Sequence, residues 1–130
     1  MKRITTGATV VGVFVLAVVL GACSNATANN PSPAASPDPN AIQLTAMDLK
    51  FSMASISAPA NKPFQIAFDN HDSAPHNVAI YDSSFSTKVF GEDPFGGPKQ
   101  VVYNVKALAP GTYGFRCDVH PDMKGTLEVK

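Results

Sequence analysis

The chain has 130 residues, which suits a single domain, and its ten Lys+Arg balance ten Asp+Glu for a formal net charge of zero. That balance excludes a basic face built for nucleic acid and a charged solvating tail. Eight Phe, three Tyr, eleven Pro and no Trp fit a small turn-rich β domain better than a helical bundle.

In chain order, residues 1–22 are expected to lie outside the fold. Lys2 and Arg3 make a short positive start, and Ala8 to Leu20 is apolar apart from Thr9 and Gly12. Thirteen residues fall short of the roughly 20 needed to span a bilayer. A short apolar run behind a basic start is the anatomy of an export signal. It ends in Leu20-Gly21-Ala22-Cys23, which resembles the bacterial lipobox, with Cys23 as the residue that receives lipid. Cleavage before Cys23 leaves eight Lys+Arg against ten Asp+Glu, a mature charge of −2. Such a mild charge steers no partner strongly. Residues 23–40 carry Pro at 31, 33, 37 and 39 among Ser, Asn and Ala. That composition cannot bury a core and reads as a linker. The expected localisation is therefore outside the cytoplasm, lipid-anchored to the outer face of the cell membrane or in the periplasm.

Residues 41–130 are expected to fold as an all-β domain. Ile42 and Leu44 alternate with polar residues, as do Phe64, Ile66 and Phe68 before Asp69-Asn70. Val78 and Ile80 share a face with His76. Val101, Tyr103 and Val105 alternate again, Tyr113, Phe115 and Cys117 follow, and Leu127 and Val129 close the chain. Breakers stand between these runs at Ala58-Pro59, Asp93-Pro94, Gly96-Gly97-Pro98, Pro110-Gly111 and Lys124-Gly125. Period-2 runs with such turns predict a sandwich or barrel. Asp82 to Lys99 is the least regular stretch and reads as a loop. Gly111 and Gly125 are expected at turns that need backbone freedom.

The chemistry concentrates in Cys117-Asp118-Val119-His120-Pro121-Asp122-Met123. With Cys23 lipidated, Cys117 has no disulfide partner in the chain, and a lone thiol in an exported protein calls for an explanation. A buried inert cysteine is the plain one. A metal-bound thiolate is the sharper one, because an imidazole and a thioether follow within seven residues. Two His and a Cys in a trigonal set, with a weak axial Met, form the blue-copper arrangement. The second His comes from His71 and His76, the other two in the chain. His76 opens a strand-like run, whereas His71 reads as a solvated loop residue.

Pro75-His76-Asn77-Val78 and Tyr113-Gly114-Phe115-Arg116-Cys117 through Met123-Lys124-Gly125 together resemble the small cupredoxins of the plastocyanin and amicyanin type. The Cys-x2-His-x2-Met spacing is nearer to amicyanin. The resemblance covers residues 41–130 and implies an antiparallel Greek-key β-sandwich. It implies His76, Cys117 and His120 as strong copper ligands and Met123 as the axial one. It also implies that Asn77 orders the ligand loops, with its backbone N–H toward the Cys117 sulfur. One departure stands out: where small cupredoxins often carry Pro before the loop His, this chain has Val119, a change that bears on loop rigidity and potential. The implied activity is single-electron shuttling by one type 1 copper ion, cycling between Cu(I) and Cu(II). The implied partners are redox proteins such as a cytochrome or a membrane electron-transfer complex, with the carrier a monomer. Pro75, Pro121 and Phe95 are expected around His120 as an apolar exit.

Two other readings compete. Copper delivery or storage uses the same ligands. An enzyme with a second copper needs further histidines, and only His71 remains; a Cys–His hydrolase lacks a group to orient its base. The reading is therefore an electron carrier rather than an enzyme.

Overall fold

The computed structural model describes residues 36–130, all within one compact unit, Ser32–Lys130. The export signal, Cys23 and most of the linker lie outside the described residues. Among the described residues no helix is long and apolar enough to cross a membrane. Order begins ahead of position 41: the Asp38 N–H donates to Oε1 of Gln65, and the Ala41 N–H donates to the Asp38 carbonyl.

Eleven strands are present among the described residues: β1 Ile42–Met47, β2 Lys50–Phe51, β3 Ser55–Ala58, β4 Phe64–Asn70, β5 Pro75–His76, β6 Ala79–Asp82, β7 Lys88–Phe90, β8 Phe95–Gly96, β9 Lys99–Val105, β10 Gly111–Arg116 and β11 Lys124–Val129. One sheet runs β2-β1-β4-β9, a second runs β3-β11-β10-β6-β7, and β5 and β8 form a small ribbon. The chain passes from sheet to sheet repeatedly, as a Greek-key sandwich requires. Most pairings are antiparallel. Two are parallel, β1 with β4 and β3 with β11, because each early strand is joined to its neighbour only by a long excursion through the other sheet.

The large apolar residues of the alternating runs are the ones that reach the core, while β4 and β10 also bury Ala67 and Gly114 between them. Leu44, Ile66, Phe68, Tyr103 and Val105 of the first sheet meet Ile56, Ile80, Phe115, Leu127 and Val129 of the second in one core. Burying a side chain such as Phe68 or Leu127 stabilises by about 1.5–3 kcal/mol. Phe68 stacks on Tyr103 with centroids 5.9 Å apart and meets Phe51 and Phe95 edge-on.

Two local expectations are corrected. Residues 82–99 hold β7 and β8, which are too short, at three and two residues, to show a period. Gly125 lies inside β11 opposite Phe115, where space rather than backbone freedom is needed. A Cβ there would collide with the Phe115 ring and stand 2.6 Å from the Ala54 carbonyl oxygen.

Candidate metal centre

Cys117 follows β10 directly, and β11 begins at Lys124, so residues 117–123 are the loop of the β10–β11 hairpin. Arg116 and Lys124 pair at its base. The loop is closed by its own backbone: the Cys117 N–H donates to the Met123 carbonyl at 2.9 Å, and the Met123 N–H donates to the His120 carbonyl at 2.9 Å. The spacing of two residues between Cys117 and His120 lets this tight loop bring the Cys117 sulfur and the His120 Nδ1 to 3.8 Å of each other. Cys117 is fully buried, Met123 is buried, and His120 is half-buried.

His76 arrives from β5, which pairs with β8 so that His76 stands opposite Phe95 and Pro75 opposite Gly96. It is fully buried. Its Nδ1 is 3.6 Å from the Cys117 Sγ and 3.2 Å from the His120 Nδ1, and the His120 Nδ1 is 3.8 Å from that sulfur. His76, Cys117 and His120 form the metal-competent group found among the described residues. A site between tetrahedral and trigonal with bonds of about 2.0–2.3 Å puts its donors about 3.2–4 Å apart. The three separations thus match one small ion bound by two imidazoles and a thiolate. This soft and borderline donor set suits copper.

Sequence reading chose His76 over His71, and the structure separates them. His71 is exposed and its Nε2 sits 2.9 Å from an oxygen of Asp69. Met47 and Met53 are exposed on the surface. Pro75 and Pro121 are exposed and Phe95 is half-buried.

Three polar groups support the cluster. Asn77 is fully buried and spans two segments through its side chain. Its Nδ2 donates to the Glu92 carbonyl at 2.7 Å and to Oδ2 of Asp118 at 3.0 Å, and its Oδ1 accepts the Asp118 N–H at 2.8 Å. Asp118, next to Cys117, also accepts from the Tyr81 hydroxyl and from Nζ of Lys88 at 2.6 Å. Burial pushes the Asp118 carboxyl up, but the Lys88, Tyr81 and Asn77 bonds more than offset it, so the group lies below the usual aspartate range. A carboxylate pinned on three sides thus braces the loop that lacks a Pro before His120. The guanidinium of Arg116 covers the Tyr81 ring at 4.2 Å, a cation–π contact that adds attraction.

The third group is Asp72. Its Oδ2 stands 3.0 Å from Nε2 of His76. The backbone N–H bonds from Leu49 and Asp48 are the main cause that holds its carboxyl below the ordinary value. Sequence reading missed Asp72, Asp118, Tyr81 and Lys88. The one available signal was position: Asp72 lies four residues before His76 and Asp118 directly follows Cys117.

Similarity to known proteins agrees with this geometry. A family model described as a cupredoxin-like domain matches residues 12–129. Amicyanin of Paracoccus denitrificans is 32% identical over 68 residues, 50% of this chain and 48% of that protein. Amicyanin-alpha of Methylorubrum extorquens is 37% identical over 65 residues, 50% of this chain and 53% of that protein. The match therefore spans about half the length of these curated relatives. The structure of dithionite-reduced auracyanin from Roseiflexus castenholzii superposes with a TM-score of 0.61 at 18% identity, covering 73% of this chain and 99% of that one. Auracyanin A of Chloroflexus aurantiacus, a "blue" copper protein, gives 0.61 at 19%, covering 73% and 100%. At such identities these likenesses speak for the fold, the β-sandwich expected from the strand pattern. With the family model covering nearly the whole chain and a donor set that fits one type 1 copper ion, this chain belongs to the cupredoxin-like family of blue-copper proteins.

Proposed function

We propose that this protein is an exported, lipid-tethered carrier of single electrons, with His76, Cys117 and His120 as its strong copper ligands and Met123 as the axial one. The observation that carries the reading is the convergence of two imidazole Nδ1 atoms and one thiolate sulfur to 3.2–3.8 Å of one another. Bound copper supplies the chemistry, cycling between Cu(I) and Cu(II) by one electron. The chain's part is to hold the donors still. His76 and Cys117 are fully buried, so water is kept from the inner side. The loop bonds at Cys117 and Met123 and the Asp118 brace resist movement of the ligands. Ligands that do not move between oxidation states leave little reorganisation to slow transfer.

His120, half-buried beside exposed Val119 and Pro121, is the edge through which the electron passes to a redox protein such as a cytochrome or a membrane complex. The −2 charge left after cleavage at Cys23 favours recognition by an apolar patch rather than by long-range steering. Residues 23–40 act as the tether that keeps the carrier near the membrane.

The test is the visible absorption and EPR spectrum of the Cu(II)-loaded protein beside Cys117→Ser. An intense blue band with narrow copper hyperfine splitting, both lost in the variant, is the expected result. A colourless wild-type protein with an ordinary copper spectrum would remove Cys117 from the ligand set. Ready surrender of copper to a chelator would then point to copper delivery or storage.

A further inference from the structure

Asp72 occupies an unusual position between the metal centre and the surface. Its carboxylate receives three groups: Oδ1 accepts the Asp48 N–H at 3.0 Å, while Oδ2 accepts the Leu49 N–H at 3.1 Å and faces Nε2 of His76 at 3.0 Å. The residue itself is fixed on every side. Its N–H donates to Oδ1 of Asn70, and its carbonyl accepts the Gly97 N–H. Asn70 is fully buried and donates to the carbonyls of Ala74 and Phe95. The Asp72 side chain is only 19% exposed, and among the described residues His76 is the one cationic-capable side chain within ion-pair distance. With no Lys or Arg beside it, this partly covered carboxylate directs its charge at the imidazole and the two backbone N–H groups it touches.

We propose that Asp72 is a positioning residue that sets both the tautomer of His76 and the reduction potential of the copper centre; this rests on the electron-carrier reading above. The chemistry follows from which nitrogen faces which group. A carboxylate accepts only, so it holds the proton on Nε2 and leaves the Nδ1 lone pair facing Cys117 and His120. The bond also makes the imidazole a stronger donor, and the fixed negative charge favours the ion of higher charge. Both effects stabilise Cu(II) over Cu(I) and lower the potential.

The same carboxylate ties the ligand to the surface. Residues 48 and 49 form the two-residue turn between β1 and β2, with φ of 53° and 59°. Both central residues in the left-handed region mark a type I′ turn, which favours Asn-Gly. Here it is made from Asp48 and Leu49, which gain little from that conformation, and the Asp72 carboxylate holds both N–H groups. The loss of Asp72 would therefore disturb the turn as well as His76, and the two effects must be separated.

The experiment measures the midpoint potential of Asp72→Asn in two backgrounds: the native turn, and Asp48→Asn with Leu49→Gly, whose turn stands unaided. The expected result is a shift to more positive potential, equal in both, with the blue band kept. No shift, or a shift confined to the native turn, would overturn the proposal. Should Asp72→Asn fail to hold copper, long-range 1H–15N correlation on the unaltered copper-free protein, where no metal fixes the tautomer, decides. His76 protonated on Nε2 with a slowly exchanging proton supports the proposal, and a proton on Nδ1 overturns it. An unaltered protein with no blue band would sink the electron-carrier reading, and this inference with it, whereas a blue protein indifferent to Asp72 would sink this inference alone.

Discussion

Asp118 shows how one residue replaces another's rigidity. Where Pro would restrict the backbone before the loop His, this chain has an exposed Val119 and relies on a carboxylate held by Asn77, Tyr81 and Lys88. Hydrogen bonds to a charged group contribute about 1.5–3 kcal/mol each at most, and partial exposure of Lys88 weakens its share. Asp118→Ala should therefore destabilise the copper-free protein by about 2 kcal/mol, read as a lower urea midpoint at unchanged m-value. A midpoint equal to that of the unaltered protein would mean that the brace contributes nothing. The residue following Cys117 was visible in the sequence, but its role was not. Its partners lie 30 to 41 positions away, and no local pattern announces a bond across that distance.

Among the elements, the β6–β7 connection depends on a single carboxylate. Asp82 accepts the N–H groups of Ser84, Ser86 and Thr87 and the hydroxyls of Ser84 and Ser86. The Ser86 hydroxyl bond is the largest cause that holds its carboxyl far below the ordinary aspartate range, with the Ser86 N–H next. A depressed folded pKa has a definite sign: the stabilisation is complete above the unfolded value of about 3.9 and is lost as pH falls toward the folded one. Asp82→Asn should lower Tm by a few degrees at neutral pH and by progressively less below pH ~4. Melting curves across that range check it, and parallel profiles for the two proteins would refute the linkage. This turn, with β7 beyond it, was read from the sequence as plain loop. Its order comes from one side chain serving many donors rather than from periodicity.

For the whole molecule, the half-buried His120 between exposed Val119 and Pro121 offers an apolar face near the metal centre. Pro121→Asp should slow electron self-exchange at least several-fold, because two copies meeting at this face would bring like charges together. NMR line broadening in mixed Cu(I) and Cu(II) samples measures it, and an unchanged rate would move the exit elsewhere. Cys23→Ser should abolish incorporation of labelled palmitate in a bacterial host and release the protein from the membrane fraction. Labelling that persists in the variant would contradict the lipobox.

The sequence by itself determined the fold class and named the donors proposed for copper. The period-2 spacing of large apolar residues on β1, β4, β9, β10 and β11 is a local consequence of strand geometry, and Cys117, His120 and Met123 lie within one hairpin loop. His76 was also legible, since the run it opens carries buried Val78 and Ile80. Only the tertiary structure decided what surrounds those donors. The parallel pairings, the short β7 and β8, the Asp118 brace and the carboxylate of Asp72 on Nε2 of His76 all join segments distant along the chain or too short to carry a pattern. Periodicity reports which face of a segment is buried, but a polar side chain's partner is set by where the sheets bring other segments, and that is a property of the packed fold.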